Sequence, residues 1–547
     1  MKVFKIMSTK YIFVTGGVCS GLGKGIATAS IGALLKASGY KVYTVKMDPY
    51  LNPDPGTMSP FQHGEVFVTD DGYEADLDLG HYERFIDVPL SRHSNLTSGQ
   101  IYQEILDKER KGDYLGKTVQ VVPHITNKIK DFIKSSAKNS SADFLLIEIG
   151  GTVGDIEGEP YFEAARQFHH EVGDDNVMFI HLTLLPYLKT SGELKTKPTQ
   201  MSVKELEKRG IHPDMILARS DYDIAKELLG KIAMFCDVPE NAVIPAPTIS
   251  SIYEVPQNFA KTKVPSIIFK KFGLDDKKFD LREWNNLVKK IKSSNGHSLI
   301  IAKVGKYTSH GDAYISVDEA LKSAGFAHNV KVKIIAVDSE KIEKKDKKEL
   351  RNLKSADGIV VPGGFGVRGI EGKIMVAKYA RENKIPYFGL CLGMQIMTIE
   401  FTRYVLKTKN VNSEEFDRKT INPVIHIMHD QKKNIEASHY GATMRLGAYE
   451  ARLIKDSLSY QAYGQEKISE RHRHRYEFNN DYREMLGKNG LRVAGINPQR
   501  NLVEIVEVKD HPWMIGVQFH PEFKSRPLRS HPLFFDFIKA SIKHQRA

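Results

Sequence analysis

One segment near the amino terminus, residues 15–25, constrains the fold of this chain more than any other. It reads TGGVCSGLGKG and lies between a short apolar run, residues 11–15, and a helix-like stretch, residues 26–35. Such a turn directs backbone N–H groups and the positive end of a helix towards an anion, and Lys24 adds a point charge. The pattern predicts a phosphate-binding loop in an α/β domain, with an ordinary tight turn as the alternative.

The loop departs from the usual phosphate-loop pattern at two positions. Val18 stands where a glycine is usual, and Gly25 stands where a serine or threonine normally gives Mg²⁺ a hydroxyl ligand. Carboxylates must therefore hold the metal, because Mg²⁺ takes one or two of them besides phosphate oxygens.

Two groups of acids are candidates for this role. Glu74, Asp76 and Asp78 alternate along the chain and would share one face if the chain is extended. Glu148 lies near the end of the apolar run 144–149, at the edge where doubly wound sheets bind ligands. Each acid taken alone is as readily an exposed or hydrogen-bonded carboxylate.

Apolar runs alternate with helix-like stretches in two parts of the chain, which predicts two doubly wound α/β domains. The strand candidates are residues 11–15, 41–47, 144–149, 177–184, 299–304, 333–338, 358–361 and 387–389. We predict a phosphate-loop-like synthetase domain over 1–270 and a second domain over 298–547. A connection over 271–297 joins them, with an amphipathic helix over about 280–292.

Composition bounds the class of protein. The chain has 547 residues, which is too long for one core, and its net charge of +12 favours polyanions. That charge is dispersed, which argues mildly against nucleic acid and fits nucleoside triphosphates or a solvated basic surface. The sequence contains no run of about 18 apolar residues, so no membrane span is predicted. The amino-terminal residues are not typical of a signal peptide. Three cysteines favour a reducing, cytoplasmic setting over a disulfide framework.

The sequence GLCLG around Cys391 predicts a nucleophile at a sharp turn between a strand and a helix. The spacing G-x-C-x-G is the cysteine form of the nucleophile elbow, and a helix N-terminus beside the sulfur favours the thiolate. An isolated cysteine would more often be a small buried hydrophobe, but the flanking glycines reverse that preference.

A base is expected elsewhere, and the strand candidate 513–519 is followed by His520, Pro521 and Glu522. On an extended chain His520 and Glu522 project to the same side, so that Glu522 could orient the imidazole. The sequence PGGFG at 362–366 follows another strand candidate and could offer backbone N–H groups to a developing oxyanion, although an ordinary turn is the alternative.

With these motifs together, the chain resembles the CTP synthase family. PGGFG, GLCLGMQ and FHPEF resemble class I glutamine amidotransferases, while the amino-terminal half carries KMDPYLNPDPGTMSPFQHGEVFVTDDG, DLDLGHYERF, EIGGTVGDIE and GELKTKPTQ. ERHRHRYE lies in the carboxy-terminal half, where composition alone suggests a solvated basic face. The matching stretches span roughly residues 10–525.

The resemblance implies a role for particular residues. It implies catalysis by Cys391, His520 and Glu522, and Mg²⁺ binding by Asp78 and Glu148. ATP would be bound by Ser20, Gly21, Leu22, Gly23, Lys24, Gly25, Asp78 and Thr248, although no strong motif surrounds 247–249. UTP or CTP would be bound by Ser20, Asp155, Ile156, Glu157, Lys195, Thr196, Lys197, Pro198, Thr199, Gln200 and Lys231. Glutamine would be held by Gly364, Leu392, Gly393, Met394, Gln395, Glu415 and Arg475.

One of these sets has independent support from the residues. Lys195 and Lys197 would stand on a loop stiffened by Pro198, which suits a triphosphate, with a solvated loop as the alternative. The resemblance further implies ATP-dependent amination of UTP through a 4-phosphorylated intermediate, activation by GTP, feedback inhibition by CTP, and a homotetramer. Another phosphate-loop amidotransferase, such as a cobyrinate-type amide synthase, and a nucleotide-binding scaffold with an inactive amidotransferase half are the alternatives.

Overall fold

The structure is a computed structural model that describes residues 8–293, 298–306, 311–428 and 443–546. The chain forms two compact units: the first comprises residues up to 54 together with 78–288, and the second comprises 55–77 together with the chain from 289 onwards. Within the described ranges, no helix combines the length and the apolar character that crossing a bilayer requires.

The strands are numbered here in chain order. They are β1 Lys10–Gly16, β2 Val42–Asp48, β3 Phe67–Val68, β4 Glu74–Ala75, β5 Asn95–Thr97, β6 Phe144–Ile149, β7 Val177–Leu184, β8 Tyr187–Leu188, β9 Glu193–Leu194, β10 Met215–Ser220, β11 Val243–Pro247, β12 Ser298–Gly305, β13 Lys331–Asp338, β14 Gly358–Val361, β15 Tyr387–Leu390, β16 Val411–Ser413, β17 Asn422–Ile427, β18 Arg445–Leu453, β19 Lys467–His474, β20 Tyr476–Phe478, β21 Leu491–Asn497, β22 Leu502–Val508 and β23 Met514–Val517.

The helices are numbered in the same way. They are α1 Lys24–Ala37, α2 Pro60–His63, α3 Asp78–Ile86, α4 Ser98–Arg110, α5 Thr126–Ser140, α6 Glu159–Val172, α7 Lys197–Glu207, α8 Lys226–Phe235, α9 Val255–Lys261, α10 Val264–Lys271, α11 Arg282–Ser293, α12 Ile315–Ala327, α13 Ser339–Glu343, α14 Lys347–Lys354, α15 Ile370–Glu382, α16 Leu392–Leu406, α17 Leu458–Tyr463, α18 Arg483–Lys488 and α19 Pro532–Gln545.

The first unit is built on a parallel sheet of seven strands in the order β11-β10-β7-β1-β6-β2-β5. Every residue of β6, with the sequence FLLIEI, is buried, as expected of a central strand covered on both faces. The strand β1 lies between β6 and β7, where the order of the sheet reverses. Ligands of such folds bind beside the carboxyl ends of the strands at this reversal, which is where β1 runs into the glycine-rich loop.

The second unit contains a nine-stranded sheet in the order β13-β12-β14-β15-β23-β22-β21-β18-β19. The strands from β13 to β23 in this order are parallel, and those from β23 to β19 are antiparallel. The predicted α/β class with two domains is confirmed, and the antiparallel part of the second sheet is an addition to it.

Candidate active sites

The loop after β1 has the backbone of an anion-binding turn. Gly21 and Gly23 adopt positive φ angles of 75° and 89°, and the N–H of Gly17 donates to the Leu182 carbonyl at 3.0 Å. Val18 also has a positive φ, 77°, which is unusual for a β-branched residue and marks the place where a glycine is usual. The helix α1 begins at Lys24, so its N-terminus lies at the end of the loop.

The absence of a side chain at Gly25 makes room for Asp78. A Cβ atom built on Gly25 would lie 2.0 Å from Oδ1 of Asp78. The Asp78 carboxylate therefore takes the place in which a serine or threonine side chain would lie in a common phosphate loop. That a carboxylate replaces the missing hydroxyl as a metal ligand stays a prediction, which this geometry supports.

The carboxylates of Asp78 and Glu148 converge on the Lys46 ammonium. Lys46 Nζ donates to Asp78, and to Glu148 Oε1 at 2.9 Å. The Tyr82 hydroxyl donates to the other oxygen of Glu148 at 2.5 Å. Two converging carboxylates fit Mg²⁺, which prefers oxygen ligands and leaves further positions to phosphate oxygens. No cluster of three or more His, Cys, Asp or Glu side chains suited to a metal occurs among the residues that the structure describes.

The Lys24 side chain lies along the same loop. Its Nζ donates to the Gly151 carbonyl at 2.7 Å, and a Cβ on Gly16 would lie 2.7 Å from its Cδ. Burial lowers the pKa of the Lys24 ammonium, while the negative charge of Glu148 opposes that shift. Lys24 therefore lies within the electrostatic reach of the predicted metal ligands.

A cavity of about 220 Å³ extends from the loop to the end of β11. Gly21, Leu22 and Gly23 line one side, and Thr248 lines the other. The Thr248 hydroxyl donates to Asp221 at 2.7 Å and accepts from Arg219 at 3.2 Å. The structure thus brings Thr248 to the loop residues predicted to bind ATP, although the sequence around it carries no recognisable motif.

The residues predicted to bind UTP or CTP lie in four separate parts of the first unit: the phosphate loop with Ser20, residues 155–157, residues 195–200, and Lys231. Asp155, Ile156 and Glu157 follow β6 and are exposed, with Ile156 exposed to 84%. Lys231 is exposed on α8.

The expectation of a loop at Lys197 and Pro198 is wrong. Both residues, with Thr199 and Gln200, form the first turn of α7, where a proline is well tolerated because the N–H it lacks would have no partner there. Lys195 and Thr196 precede the helix.

In the second unit, Cys391 lies between β15 and α16 with the strained backbone angles φ 49° and ψ −100°. The chain reverses so sharply that a Cβ on Gly389 would lie 2.5 Å from the carbonyl carbon of Gly393. A Cβ on Gly393 would in turn lie 2.1 Å from the Val361 carbonyl oxygen. Both positions require glycine because the neighbouring backbone lies too close for a side chain. The positive φ angle of the turn is adopted by Cys391 itself.

His520 lies beside this cysteine and is oriented by Glu522. His520 Nδ1 is 2.7 Å from Glu522 Oε1, and both side chains are buried. The expectation of an extended chain is wrong here, because Pro521–Lys524 form a 3-10 turn, but the turn still brings the two side chains together. Burial lowers the pKa of His520, and the neighbouring Glu522 and Cys391 outweigh that effect and raise the pKa to about 10.

A cavity of about 380 Å³ opens in front of Cys391 and His520. Gly363 closes the side next to the imidazole, since a Cβ there would lie 2.6 Å from His520 Cε1. The lining residues from the amidotransferase motifs include Pro362, Gly363, Gly364, Cys391, Arg473, His520 and Glu522. Others come from the segment 55–77, including Gly56, Met58, Ser59, Pro60, Glu65 and Val66.

Glu74 and Asp76 do not share a strand face with Asp78. The strand β4 ends at Ala75, and Asp78 begins the helix α3. In the second unit, Glu74 accepts from Arg473 Nε at 2.7 Å, and Asp76 Oδ2 is 3.2 Å from His63 Nε2. The expected common face of the three acids is therefore wrong, because the chain is not extended between 76 and 78.

The residues predicted to hold glutamine are distributed around the elbow. Gly364 lines the cavity, and Leu392, Gly393, Met394 and Gln395 form the first turn of α16. Gln395 Nε2 donates to the Tyr476 carbonyl at 3.1 Å.

The two remaining glutamine candidates are further along the chain. Glu415 accepts from the N–H of Gly366 at 2.7 Å, which ties it to the PGGFG loop, and Arg475 Nη1 donates to Thr443 at 2.7 Å. Burial raises the pKa of Glu415, and the Gly366 N–H and the positive charges of Lys306 and Lys373 oppose the shift.

The basic run 470–475 is not a solvated face. It lies mostly in β19, where Glu470, Arg471, His472 and His474 are all buried, Arg471 with only 1% of its surface exposed. Arg471 Nε donates to Asp70 Oδ1 at 2.6 Å, and the Cys391 thiol donates to the Arg473 carbonyl at 3.7 Å. The strand therefore forms a wall of the cysteine site, with its arginines paired to the segment 55–77.

Comparison with known proteins assigns the two parts of the chain to known families. A family model described as CTP synthase N-terminus matches residues 10–274, and one described as glutamine amidotransferase class-I matches residues 310–540. A CTP synthase of Carboxydothermus hydrogenoformans is 56% identical over 536 residues, covering 98% of this chain and 99% of that protein. A CTP synthase of Clostridium kluyveri is 56% identical over 541 residues, covering 98% of this chain and 100% of that protein.

The chain belongs to the CTP synthase family. The predicted family is confirmed, and with it the prediction of an enzyme of the ligase class. Among solved structures, the glutaminase domain of Trypanosoma brucei CTPS with bound acivicin is 40% identical, with a TM-score of 0.42. The match covers 45% of this chain and 94% of that one.

Sequence reasoning missed several residues that this member of the CTP synthase family places at its sites. Lys46 joins Asp78 and Glu148, and its side chain lies in β2, a strand in which every residue is buried. The pairing of Arg473 with the segment 55–77 gave no signal in the sequence, because it joins residues about 400 positions apart.

Proposed function

We propose that this chain converts UTP into CTP, using ATP to activate the acceptor and glutamine as the source of ammonia. The observation that carries the proposal is the presence of two sites in one chain. One contains Cys391, His520 and Glu522, and the other is a phosphate loop in which Asp78 fills the place of the missing hydroxyl. The charge and the residue spacing do not distinguish uracil from another acceptor. The choice of UTP as the acceptor is therefore supported by membership of the CTP synthase family.

In the glutaminase half, the Cys391 sulfur attacks the carboxamide carbon of glutamine. His520, as imidazolium, gives its proton to the nitrogen that leaves as ammonia, and Glu522 keeps the ring oriented. The backbone N–H groups at Gly364 and at the start of α16 are suited to stabilise the developing oxyanion. Water then hydrolyses the glutamyl thioester, with His520 taking a proton from that water.

In the synthetase half, the γ-phosphoryl group of ATP passes to the 4-oxygen of UTP, and ammonia then displaces phosphate at C4 to give CTP. Lys24 and Lys46 neutralise charge that develops on the phosphates. Asp78 and Glu148 would hold Mg²⁺, which supplies further charge neutralisation when it is bound. Lys195, Lys197 and Gln200 are proposed to bind the acceptor's phosphates. The cavity at Thr248 is proposed to bind the adenine of ATP.

The regulation and assembly implied by the resemblance belong to the same proposal. GTP would activate glutamine hydrolysis, CTP would compete with UTP as a feedback inhibitor, and the active form would be a cytoplasmic homotetramer. The proposed division is a synthetase domain over 1–270, a connection over 271–297 and an amidotransferase domain over 298–547.

One assay tests the reaction. CTP formation from UTP and ATP is followed by absorbance with glutamine or with ammonia as the nitrogen source. Cys391→Ala should abolish the glutamine-dependent reaction and retain the ammonia-dependent one, because only the first needs the thiol. Loss of both reactions would contradict the division into two sites.

A second variant tests the synthetase half. Lys24→Ala should abolish CTP formation with either nitrogen source, and retained ammonia-dependent synthesis would remove Lys24 from the mechanism. If the native chain forms no CTP but amidates a carboxylate acceptor, the cobyrinate-type alternative holds. Absence of any glutaminase activity would instead favour the scaffold with an inactive amidotransferase half.

A further inference from the structure

A buried histidine beneath the phosphate loop has no part in the reaction proposed above. His181 lies in β7 and is 0% exposed. Its Nδ1 is 2.7 Å from Thr15 Oγ1, at the end of β1, and its Nε2 is 2.7 Å from Ser202 Oγ, on α7. One ring therefore joins the strand that leads into the phosphate loop to the helix that carries Lys197, Pro198, Thr199 and Gln200.

The ring makes this connection as a neutral group. Burial, with a smaller effect of the Lys24 charge, lowers the pKa of His181 to about 3. A neutral imidazole donates at one nitrogen and accepts at the other, so the hydroxyl orientations of Thr15 and Ser202 depend on each other. The bridge is thus a directional chain of two short hydrogen bonds between buried side chains.

The loop backbone also packs directly against the same serine. A Cβ on Gly17 would lie 1.5 Å from Ser202 Oγ and 3.0 Å from His181 Nε2. A displacement of α7 by a fraction of an ångström therefore reaches both the loop backbone and the imidazole, because a packed interior transmits such shifts.

A second bond between β7 and α7 provides an internal comparison. Thr183 Oγ1 is 3.0 Å from Thr199 Oγ1, and both residues are buried. Residues 181 and 183 lie on one face of the strand, while 199 and 202 lie one turn apart on the helix. The threonine pair holds the helix to the strand without contacting the phosphate loop in any hydrogen bond described.

We propose that His181 is a positioning residue that couples the nucleotide-donor loop to the acceptor helix α7, so that binding of ATP tightens the binding of UTP. The inference rests on the proposed function, because it takes α7 as the acceptor site and the loop as the ATP site. In this proposal, the phosphate loop closes on ATP and fixes the positions of Gly17 and Thr15. The hydrogen bonds of the His181 ring then restrict the positions of Ser202 and of the first turn of α7.

The test measures coupling between the two nucleotides in the full chain. The dissociation constant of UTP is determined by calorimetry with and without saturating AMP-PNP and Mg²⁺. In the native chain we expect AMP-PNP to tighten UTP binding by about five-fold or more. Ser202→Ala should reduce this factor to below about two-fold, while UTP binding without AMP-PNP changes by less than about three-fold. His181→Gln, which retains a polar group near the Nε2 position, should keep more of the coupling than His181→Phe.

Thr183→Val is the matched control. It removes a hydrogen bond from the same strand and helix but leaves the bridge to the loop, and we expect it to keep the native coupling. Equal loss of coupling in Thr183→Val and Ser202→Ala would overturn the proposal, since the effect would then reflect only the docking of α7. Unchanged coupling in Ser202→Ala, or no coupling in the native chain, would overturn it as well.

Two further readouts separate the possible failures. Light scattering at the protein concentration of the titration should give the same assembly state for every variant. If a variant has a different assembly state that accounts for its lost coupling, the proposal is wrong. In kinetics, Ser202→Ala should raise the KM for UTP at saturating ATP and leave the KM for glutamine unchanged. If the native chain forms no CTP from glutamine or ammonia, the proposed function fails; if it forms CTP while Ser202→Ala keeps the coupling, only this inference fails.

Discussion

At the scale of single residues, Gly25 decides how this phosphate loop can hold a metal. The Asp78 carboxylate lies where a side chain at position 25 would be, with its Oδ1 only 2.0 Å from the point that a Cβ atom would occupy. The Asp78 carboxylate and a side chain at position 25 would occupy the same space. A phosphate loop can therefore hold its metal through a carboxylate placed like that of Asp78 or through a hydroxyl at position 25, but not through both.

Replacing Gly25 by serine should therefore harm the enzyme, although it restores the residue type found in common phosphate loops. We expect Gly25→Ser to displace Asp78 and to lower ammonia-dependent CTP formation by about 100-fold, as misplacement of a reacting group by an ångström does. Steady-state rates with ammonia measure this, and glutaminase activity without nucleotides serves as the control. Near-native CTP formation would show that Asp78 does not need this space.

His520 is the second residue whose environment leads to a measurable expectation. Its folded-state pKa of about 10 lies above the ordinary value of 6.5. The imidazolium therefore contributes stability that is fully present below pH 6.5 and is lost as the pH rises towards 10. Through the neutral range the positive ring remains beside the Cys391 sulfur.

Removing the carboxylate beside His520 should change the pH profile of Cys391 alkylation. In the native chain we expect the rate with iodoacetamide to vary little between pH 7 and 9, because the ring stays charged. Glu522→Gln lowers the pKa of His520, so the ring should lose its charge as the pH rises through this lower pKa, and the rate should vary with pH where the native rate does not. Identical profiles for both proteins would contradict this role of Glu522.

At the scale of elements, β19 joins the core of the second unit to its active site. Its buried His472 lies 2.8 Å from Glu504, which also accepts from Arg445 at 2.7 Å. Burial alone would raise the pKa of Glu504, but the charges of His472 and Arg445 outweigh it and lower the pKa to about 2. The pairing therefore stabilises the fold above pH 4.5, and this contribution is lost as the pH falls from 4.5 towards 2.

Glu504→Gln should leave the buried Arg445 without its counter-charge. We expect the second unit to lose about 3 kcal/mol of unfolding free energy at pH 7, measured by urea denaturation. Glu484→Gln is the matched control, because its pair with Lys488 is largely exposed and should contribute less than about 0.5 kcal/mol. The difference between native and variant should shrink as the pH is lowered to 2, and a constant difference would refute the linkage.

Elements whose burial is uniform could be predicted from the sequence, and those that depend on distant partners could not. The bounds of β6 and β7 were predicted because both are largely apolar runs in which nearly every residue is buried. The helix α7 was missed because Pro198 reads as a loop signal, while at the first turn of a helix it is tolerated. The strand β19 was hidden because its buried arginines pair with acids about 400 residues away, and no local pattern reveals such a partner.

At the scale of the whole molecule, the chain order and the compact units do not coincide. The segment 55–77 interrupts the first unit in sequence but belongs to the second, where it lines the cavity at Cys391. Glu74 of this segment forms an ion pair with Arg473, a residue of the same cavity wall, and its side chain is 1% exposed. From sequence spacing alone, Glu74 was equally a candidate for the metal site.

One substitution distinguishes these two roles. If Glu74 supports the wall of the cysteine cavity, Glu74→Gln should lower glutamine-dependent CTP formation by about ten-fold, because Arg473 loses its buried counter-charge and its position. Ammonia-dependent formation should then stay within about two-fold of the native rate, since the phosphate loop, Asp78 and Glu148 are unchanged. If Glu74 held the metal instead, both reactions would fall together, and raising the Mg²⁺ concentration would restore part of each. Measuring the ratio of the two rates therefore assigns the residue to one half of the enzyme, independently of the total activity.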